Sequence, residues 1–405
     1  MAKSAKSAHP HTPAHPAGKP LRFAHPFFTL TPPDQRTAQP GVGRRMTDWI
    51  AQQLGPIPKP SRDPAISLDE IIGAAGVKEI EDLGTIRFHA VGDTGRAAGE
   101  NTPQDQVAAD MALDYHPDAG GMNPAFFLHL GDVIYGPNKV DHYRNEFYTP
   151  YKQYPGKIVA VAGNHDGETF PKTDTVPLEA FLDNFCAPTA AVPPIASGAG
   201  IFRQTMTEPG VYWLLDAPFV QVIGLYSNIA DGPGYLTGAG GDATQTKWLA
   251  QALGSVAADR KGGTRKALIV AVHHPPYSNG GHSGSPAVLA ALDAAADAAG
   301  VMPDAVLSGH AHNYQRHTRR ISFRGRPMEI PFVVAGCGGH NAAAVGQAYG
   351  QVIGDRTFDK SLHGYGYLLV TVTPQALKVD MWEVPSTANI PFDTVTVDLA
   401  TSRVS

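Results

Sequence analysis

Apolar residues gather along this chain in short runs, each closed by glycine or a polar turn residue. The runs that predict strands are Ile86–Val91, Ala125–Leu130, Ile158–Val161, Phe219–Leu225, Ala267–Val272, Ala305–Leu307 and Pro331–Val334. Between several of them the apolar period lengthens to that of a helix, notably over Gln104–Leu113, Ala243–Leu253 and Ser285–Ala299. Strands alternating with helices predict an α/β body with parallel pairing. Towards the C-terminus strands follow one another without helices: Tyr365–Thr373, Leu377–Glu383 and Thr394–Leu399. Alternation at Leu377, Val379 and Met381 suits a strand with one buried face. The fold that accommodates both parts is α/β (α+β), a four-layer αββα sandwich of two mixed β-sheets flanked by helices.

Ahead of this body the pattern dissolves. Seven Lys or Arg stand against one acid between Met1 and Arg45, and Pro recurs with His9, His11, His15 and His25. Such a segment has no core of its own, and its histidines read either as metal capture or as a solvated tail. Phe27-Phe28-Thr29-Leu30 offers one patch that can pack on the body. Residues 1–65 are therefore expected to be a largely irregular basic extension, and 66–405 the catalytic domain. Ser67-Leu68-Asp69-Glu70 carries the Ser-x-x-Glu capping pattern and opens a helix, with Ile71, Ile72, Ala75 and Ile80 supplying apolar positions. Residues 167–200, rich in Pro and Ala, read as a loop insertion.

Composition narrows the function. The 405 residues are 17% charged with a net charge of −5, which argues against a nucleic-acid-binding surface. Abundant Gly (43) and Pro (35) imply many loops. The two cysteines, Cys186 and Cys337, cannot make a disulfide framework, though they permit one bridge. No run is long enough to span a bilayer, and no apolar leader core follows the N-terminus; after Arg44-Arg45 come Thr47-Asp48 and Gln52-Gln53. The default location is the cytoplasm, with a secreted or periplasmic one if a leader is missing.

Five segments closing the apolar runs carry the chemistry: Gly92-Asp93-Thr94-Gly95, Gly131-Asp132-Val133-Ile134-Tyr135, Gly163-Asn164-His165-Asp166, His273-His274-Pro275-Pro276 and Gly309-His310-Ala311-His312. Each alone has a duller reading: Gly-Asp as a turn, Asn-His-Asp as an Asx turn, a single His as an interior residue. Together they offer carboxylate, phenol, amide oxygen and imidazole, the ligands of hard, highly charged cations, at the strand ends where α/β sheets place their crevices. One carboxylate, Asp132, can bridge two ions roughly 3.5–4 Å apart.

The order of these segments resembles the calcineurin-like metallophosphoesterases and, within them, the purple acid phosphatases. That family shows an Asp segment, Gly-Asp-x-x-Tyr, Gly-Asn-His-Asp/Glu, Val-x-x-His and Gly-His-x-His. The generic superfamily has Asp-x-His at the first segment; this chain has Gly95 where that His would be, with Tyr135 in exchange, the swap that marks the purple subgroup. Softer points of likeness are Gln245 with Trp248-Leu249 and the glycine loop Gly336-Cys337-Gly338-Gly339. The likeness covers roughly residues 85 to 400. It implies Asp93, Tyr135 and His312 on a first metal, Asn164, His273 and His310 on a second, and Asp132 shared. It further implies Fe(III) at the first site and Fe(II), Zn(II) or Mn(II) at the second.

Two such cations lower the pKa of a bound water and clamp a phosphoryl group for in-line displacement. The leaving oxygen then needs a proton, for which His165 and His282 are the candidates, both also expected, with Asn164, beside the substrate. His282 sits in the loop Asn279-Gly280-Gly281-His282-Ser283-Gly284, suited to reach inward or to lie exposed. Asp166 is expected to fix a neighbouring histidine's tautomer, and His274 either to orient His273 or to fill a turn. The expected activity is a phosphomonoesterase acting on a small phosphoester and releasing inorganic phosphate, with no membrane or nucleic-acid partner. The rivals are a phosphodiesterase on cyclic nucleotides, nucleic acid or phospholipid head groups, and a non-catalytic scaffold.

Overall fold

A computed structural model describes residues 54–95, 101–136, 140–169, 176–386 and 388–405. The histidines of the extension, Phe27–Leu30 and Arg44-Arg45 fall outside the described residues. In chain order the strands are β1 Ala65–Ser67, β2 Ile86–Val91, β3 Phe126–His129, β4 Lys157–Ala160, β5 Trp213–Ala217, β6 Val220–Leu225, β7 Ala267–Val272 and β8 Ala305–Ser308. There follow β9 Tyr314–Phe323, β10 Arg326–Ala335, β11 Gln351–Ile353, β12 Arg356–Leu362, β13 Tyr365–Val372, β14 Ala376–Val384, β15 Asp393–Asp398 and β16 Arg403–Val404. The longer helices are α1 Leu68–Leu83, α2 Pro103–Leu113, α3 Glu179–Phe185, α4 Thr244–Lys261 and α5 Pro286–Ala299.

Two mixed sheets form, as the change of pattern along the chain predicts. One runs β1-β5-β6-β7-β8-β10-β9-β12-β11 and the other β16-β15-β14-β13-β2-β3-β4. Strands β6, β7, β8 and β10 are parallel neighbours, as are β2, β3 and β4. These parallel strands are apolar almost throughout because both faces are covered; every residue of β3, β6, β7 and β8 is buried. Helices lie outside: α4 and α5 pack on each other with α4 against β6, α2 lies against β13 and β14, and α1 against β5.

Local signals account for the helix ends. The Ser67 N–H donates to the Glu70 carboxylate at 2.9 Å, starting α1 where the capping pattern places it. Helix α5 begins with Pro286 and stops at Gly300, whose φ of +77° favours glycine.

The described end of the extension, residues 54–65, is not detached from the body: Leu54 and Ile57 are buried, the Gly55 N–H donates to Asn228 Oδ1 at 2.8 Å, and β1 pairs with β5. Nor is the 167–200 insertion only loop. It contains α3, whose Phe181 and Phe185 stack at 4.9 Å and join Tyr143 and Phe147 in an aromatic cluster. Cys186 and Cys337 are free thiols. Among the described residues no helix is long and apolar enough to cross a membrane.

Candidate metal centre

The five segments meet where the parallel strands of both sheets end. The backbone laces them: the Asp93 N–H donates to Gly131 O at 2.9 Å, Gly309 N–H to His273 O at 2.9 Å and Gly92 N–H to Ala335 O at 2.9 Å. The last joins the end of β2 to that of β10, tying one sheet to the other. Such close approach has a conformational cost. Asp93, Asp132, His310 and His312 all have positive φ, at 56°, 53°, 71° and 49°, a region most non-glycine residues avoid. Glycine is needed beside them, since a Cβ on Gly163 would stand 2.0 Å from Asp132 Oδ1 and one on Gly309 2.5 Å from Asp93 Oδ2.

Two groups of donors result. In the first, Tyr135 Oη lies 3.2 Å from Asp93 Oδ1 and 3.2 Å from His312 Nε2, and His312 Nε2 is 3.5 Å from Asp93 Oδ1. The phenol can donate to Asp93 and accept from His312, and the same three atoms converge closely enough to suit one cation. In the second, His273 Nε2 faces Asn164 Oδ1 at 3.1 Å and Asp132 Oδ2 at 3.2 Å. His273 Nδ1 donates to Leu130 O at 2.8 Å, which leaves Nε2, facing those oxygens, to carry a proton or to ligate a cation. Donor atoms of Asp132, His273 and His310 lie within 4.8 Å of one another, as do those of Asp93, Asp132 and His312; Asp132 belongs to both sets.

The electrostatics fit cations at this place. Burial, together with Asp132, raises the Asp93 carboxyl to about 7 against the pull of His273. Burial also opposes the Asp132 charge, but His273 and His165 hold that carboxyl well below its usual range. For His273 burial disfavours the proton, yet Asp132 and Asp93 lift it to about 9. Without a cation, then, a proton on His273 must neutralise the carboxylates; a bound metal would replace it. His310 Nε2 is buried with no hydrogen-bond partner among the described residues, an arrangement that is costly unless something outside the chain binds there.

The family model for the calcineurin-like phosphoesterase matches residues 86–314, more than half of the chain. The chain belongs to the calcineurin-like phosphoesterases. Among solved structures it is similar to GAP50, titled the anchor in the inner membrane complex of Plasmodium, at 13% identity, covering 78% of this chain and 89% of that one with a TM-score of 0.51. It is also similar to PhoD, at 14% identity, covering 86% and 73% with a TM-score of 0.46. No curated protein matches it. At such identities the likeness to GAP50 speaks for the fold alone.

The remaining expected residues of this phosphoesterase take distinct places. His274 is closed to a metal: Ser227 Oγ lies 2.7 Å from its Nδ1 and Ala230 O 2.7 Å from its Nε2. Its ring packs 4.1 Å from that of His310, so it backs His310 as well as neighbouring His273. Asp166 has no hydrogen bond to a histidine among the described residues. Its carboxylate accepts N–H groups from Val133 (3.0 Å), Ile134 (3.4 Å) and Gly163 (2.8 Å), pinning the segment with Tyr135 to the segment with Asn164. His282 is buried rather than exposed, its ring 4.3 Å from His310 and 5.2 Å from His312. His165 donates its backbone N–H to Asp132 Oδ1 at 3.0 Å, and its ring lies 4.4 Å from that of Tyr135. Gln245 is buried and clamps the turn after β6 through Tyr226 N at 2.9 Å and Tyr226 O at 2.8 Å.

Three residues of the site had no motif to announce them, and a fourth, His340, is a weak sequence candidate just past the glycine loop 336–339. Glu168 Oε2 lies 3.0 Å from His165 Nδ1, and Asp231 Oδ1 is 3.6 Å from His282 Nδ1. Glu146 accepts the Tyr135 N–H at 2.7 Å. His340 stacks on the Tyr135 ring. Asp231 follows the apolar run of β6, so extending the search for carboxylates to every strand end would have found it.

Proposed function

We propose that this phosphoesterase is a phosphomonoesterase of the purple acid phosphatase type, with Fe(III) at the first site and Fe(II), Zn(II) or Mn(II) at the second. The observation that carries the reading is the phenol of Tyr135 within 3.2 Å of both Asp93 and His312, beside a glycine at position 95. Phenolate stabilises the ferric state. A side chain at 95 would have no room, since its Cβ would stand 2.6 Å from Val133 O. Asp93, Tyr135 and His312 would hold one ion, Asn164, His273 and His310 the other, with Asp132 between. Bound cations would supply an acidified water and offset charge on the phosphoryl oxygens.

The protein's own part is to place the ester and deliver a proton. His165 and His282 are not equivalent for that. Burial disfavours a charged His165, but in the metal-free protein Asp132 and Glu168 lift it to about 10, and Glu168, bonded to its Nδ1 at 3.0 Å, is the partner that would keep the ring protonated once Asp132 holds metal. Burial and the charge of His165 lower His282 to about 4, leaving it neutral. We assign His165 as the donor to the leaving oxygen and His282 to binding the phosphoester.

Replacing Glu168 with Gln removes a negative charge from the donor and lowers its pKa. Activity that needs the protonated ring disappears as pH rises through that pKa. The alkaline limb of kcat should therefore move about one pH unit towards neutral. An unmoved limb would exclude His165 as the donor. Tyr135→Phe should abolish visible absorption of the iron-loaded protein; a colourless yet fully active wild type would indicate a zinc or manganese phosphoesterase instead. Parallel assays on an aryl phosphate and a bis-aryl phosphate test the monoester preference, and faster cleavage of the diester would reverse it.

A further inference from the structure

The ring of His340 lies 3.5 Å from that of Tyr135, centroid to centroid, at an interplanar angle of 8°. Aromatic pairs left to themselves settle offset or edge-on with centroids about 4.5–7 Å apart, so ring attraction alone does not explain this arrangement. The hydrogen bonds of His340 do. Its backbone N–H donates to Asp93 O at 2.9 Å, and its Nδ1 donates to Gly95 O at 2.8 Å. Both anchors belong to the first segment, the one that carries Asp93. The stem leading to His340 is fixed as well, because the Gly338 N–H donates to Gly92 O at 3.0 Å. The imidazole plane is thus set by the loop that holds Asp93, and the phenol lies parallel to it.

We infer that His340 is a positioning residue that fixes the ring plane of Tyr135, and with it the orientation of the phenolate towards a metal held by Asp93 and His312. The inference rests on Tyr135 as a metal ligand, the reading proposed above. The terminal torsion of a tyrosine is soft and roughly two-fold, so the chain itself leaves this plane loosely defined. The hydroxyl lies on the axis of that torsion, so its 3.2 Å contacts with Asp93 and His312 hold the oxygen in place without fixing the plane of the ring. A parallel neighbour at 3.5 Å blocks rotation of the ring, while the Glu146 carboxylate holds the Tyr135 backbone N–H at 2.7 Å. Overlap between a phenolate π orbital and a metal d orbital depends on that plane. Its readout is therefore the phenolate-to-iron absorption band.

Two substitutions separate the stack from the hydrogen bond. His340→Phe keeps an aromatic face and loses the Nδ1 donor; His340→Gln keeps a donor and loses the face. The full-length chain is reconstituted with ferric iron, and visible spectra, iron content and phosphatase kinetics are measured, with Tyr135→Phe as the control. The expected result is a band in His340→Phe displaced less than in His340→Gln, since the aromatic face remains and only the Nδ1 anchor to Gly95 O is lost. In His340→Gln the band shifts or broadens and kcat falls roughly tenfold, the scale of losses when a ligand's support is removed. Iron lost from His340→Gln but kept in His340→Phe supports the same conclusion. An unchanged band in His340→Gln overturns the inference, as does a band equally disturbed in both variants. If His340→Gln does not fold, His340→Met is judged by the same criteria. A band that persists in Tyr135→Phe, or none in the iron-loaded wild type, overturns the ligand assignment itself, a result separable from the others.

Discussion

His310→Ala is expected to lose about a thousandfold in phosphomonoester turnover and one of two bound metal ions while remaining folded. The backbone N–H of residue 310 donates to Asp93 Oδ2 at 2.6 Å, a contact that survives truncation of the side chain. The imidazole Nε2, by contrast, is buried with no hydrogen-bond partner among the described residues, so removing it breaks no bond of that nitrogen within the protein. Alanine at φ +71° keeps the backbone strain already present, adding only the cost of a small cavity. What disappears is a ligand. A cation's charge stabilisation in the transition state is worth several kcal/mol, and each 1.4 kcal/mol is a factor of ten in rate, hence roughly 10³-fold. Asn164→Ala should behave alike, because Asn164 Oδ1 stands 3.1 Å from His273 Nε2 in the same donor group. Elemental analysis, kcat/KM and the thermal midpoint of the chelated protein make the check. Two ions and near wild-type turnover in either variant would refute the ligand assignment.

How far the sequence discloses this arrangement depends on where the apolar pattern is intact. Ile86–Val91 and Ala267–Val272 are legible to the residue, because both become strands covered on both faces. The β9–β10 hairpin is not. Only Pro331–Val334 stands out, whereas the pairing runs from Tyr314 to Ala335. Arg316 and Arg319 interrupt the pattern in β9, and each is satisfied by distant partners: Arg316 by Asp393 at 2.7 Å, Arg319 by Asp293 and Asp355 at 2.6 Å. A half-covered strand whose charges are neutralised from elsewhere looks polar in sequence. Strand β12, with Arg356, Asp359 and Lys360, is hidden for the same reason.

The site divides along a similar line. Except for His273, the side chains proposed to touch metal sit at glycine-marked turns after apolar runs, and those turns exist because the backbone must approach closely, as at Gly163 and Gly309. Of the supporting side chains only His340, after Gly338-Gly339, carries such a mark. Glu168 acts from one helical turn after Asn164, Glu146 from a segment eleven residues beyond Tyr135, and His340 from the far side of β10. Their roles follow from tertiary contact alone. Asp166 shows the limit in the other direction. Its presence in the Gly-Asn-His-Asp segment is readable, but its partners are three backbone N–H groups and not a histidine.

Those partners make Asp166→Ala the largest expected loss of stability. The carboxylate alone receives the N–H groups of Val133 and Gly163 at 3.0 and 2.8 Å, with Ile134 at 3.4 Å. All four residues are buried. Alanine strands those donors away from water, at about 1–3 kcal/mol for each unpaired group. Two well-formed bonds and one weaker one give roughly 3–6 kcal/mol, a large share of the 5–15 kcal/mol typical of a folded protein. Asp166→Asn should behave differently. Burial, with Asp132 nearby, raises the Asp166 carboxyl to about 7, so the metal-free protein is already poised to lose that charge at neutral pH. The amide keeps one acceptor oxygen and removes the repulsion from Asp132. The sign follows from the raised value: below about pH 7 the native carboxyl holds a proton that the unfolded chain releases near pH 4, so its charge penalty grows as pH rises from 4 to 7. Relative to wild type, Asp166→Asn should therefore do best above pH 7 and lose that advantage towards pH 4. Denaturant unfolding of both variants after chelation, at pH 5 and pH 8, measures this. An Asp166→Ala midpoint equal to wild type would show that the three N–H groups find other partners, and that the carboxylate does not hold the Tyr135 and Asn164 segments together.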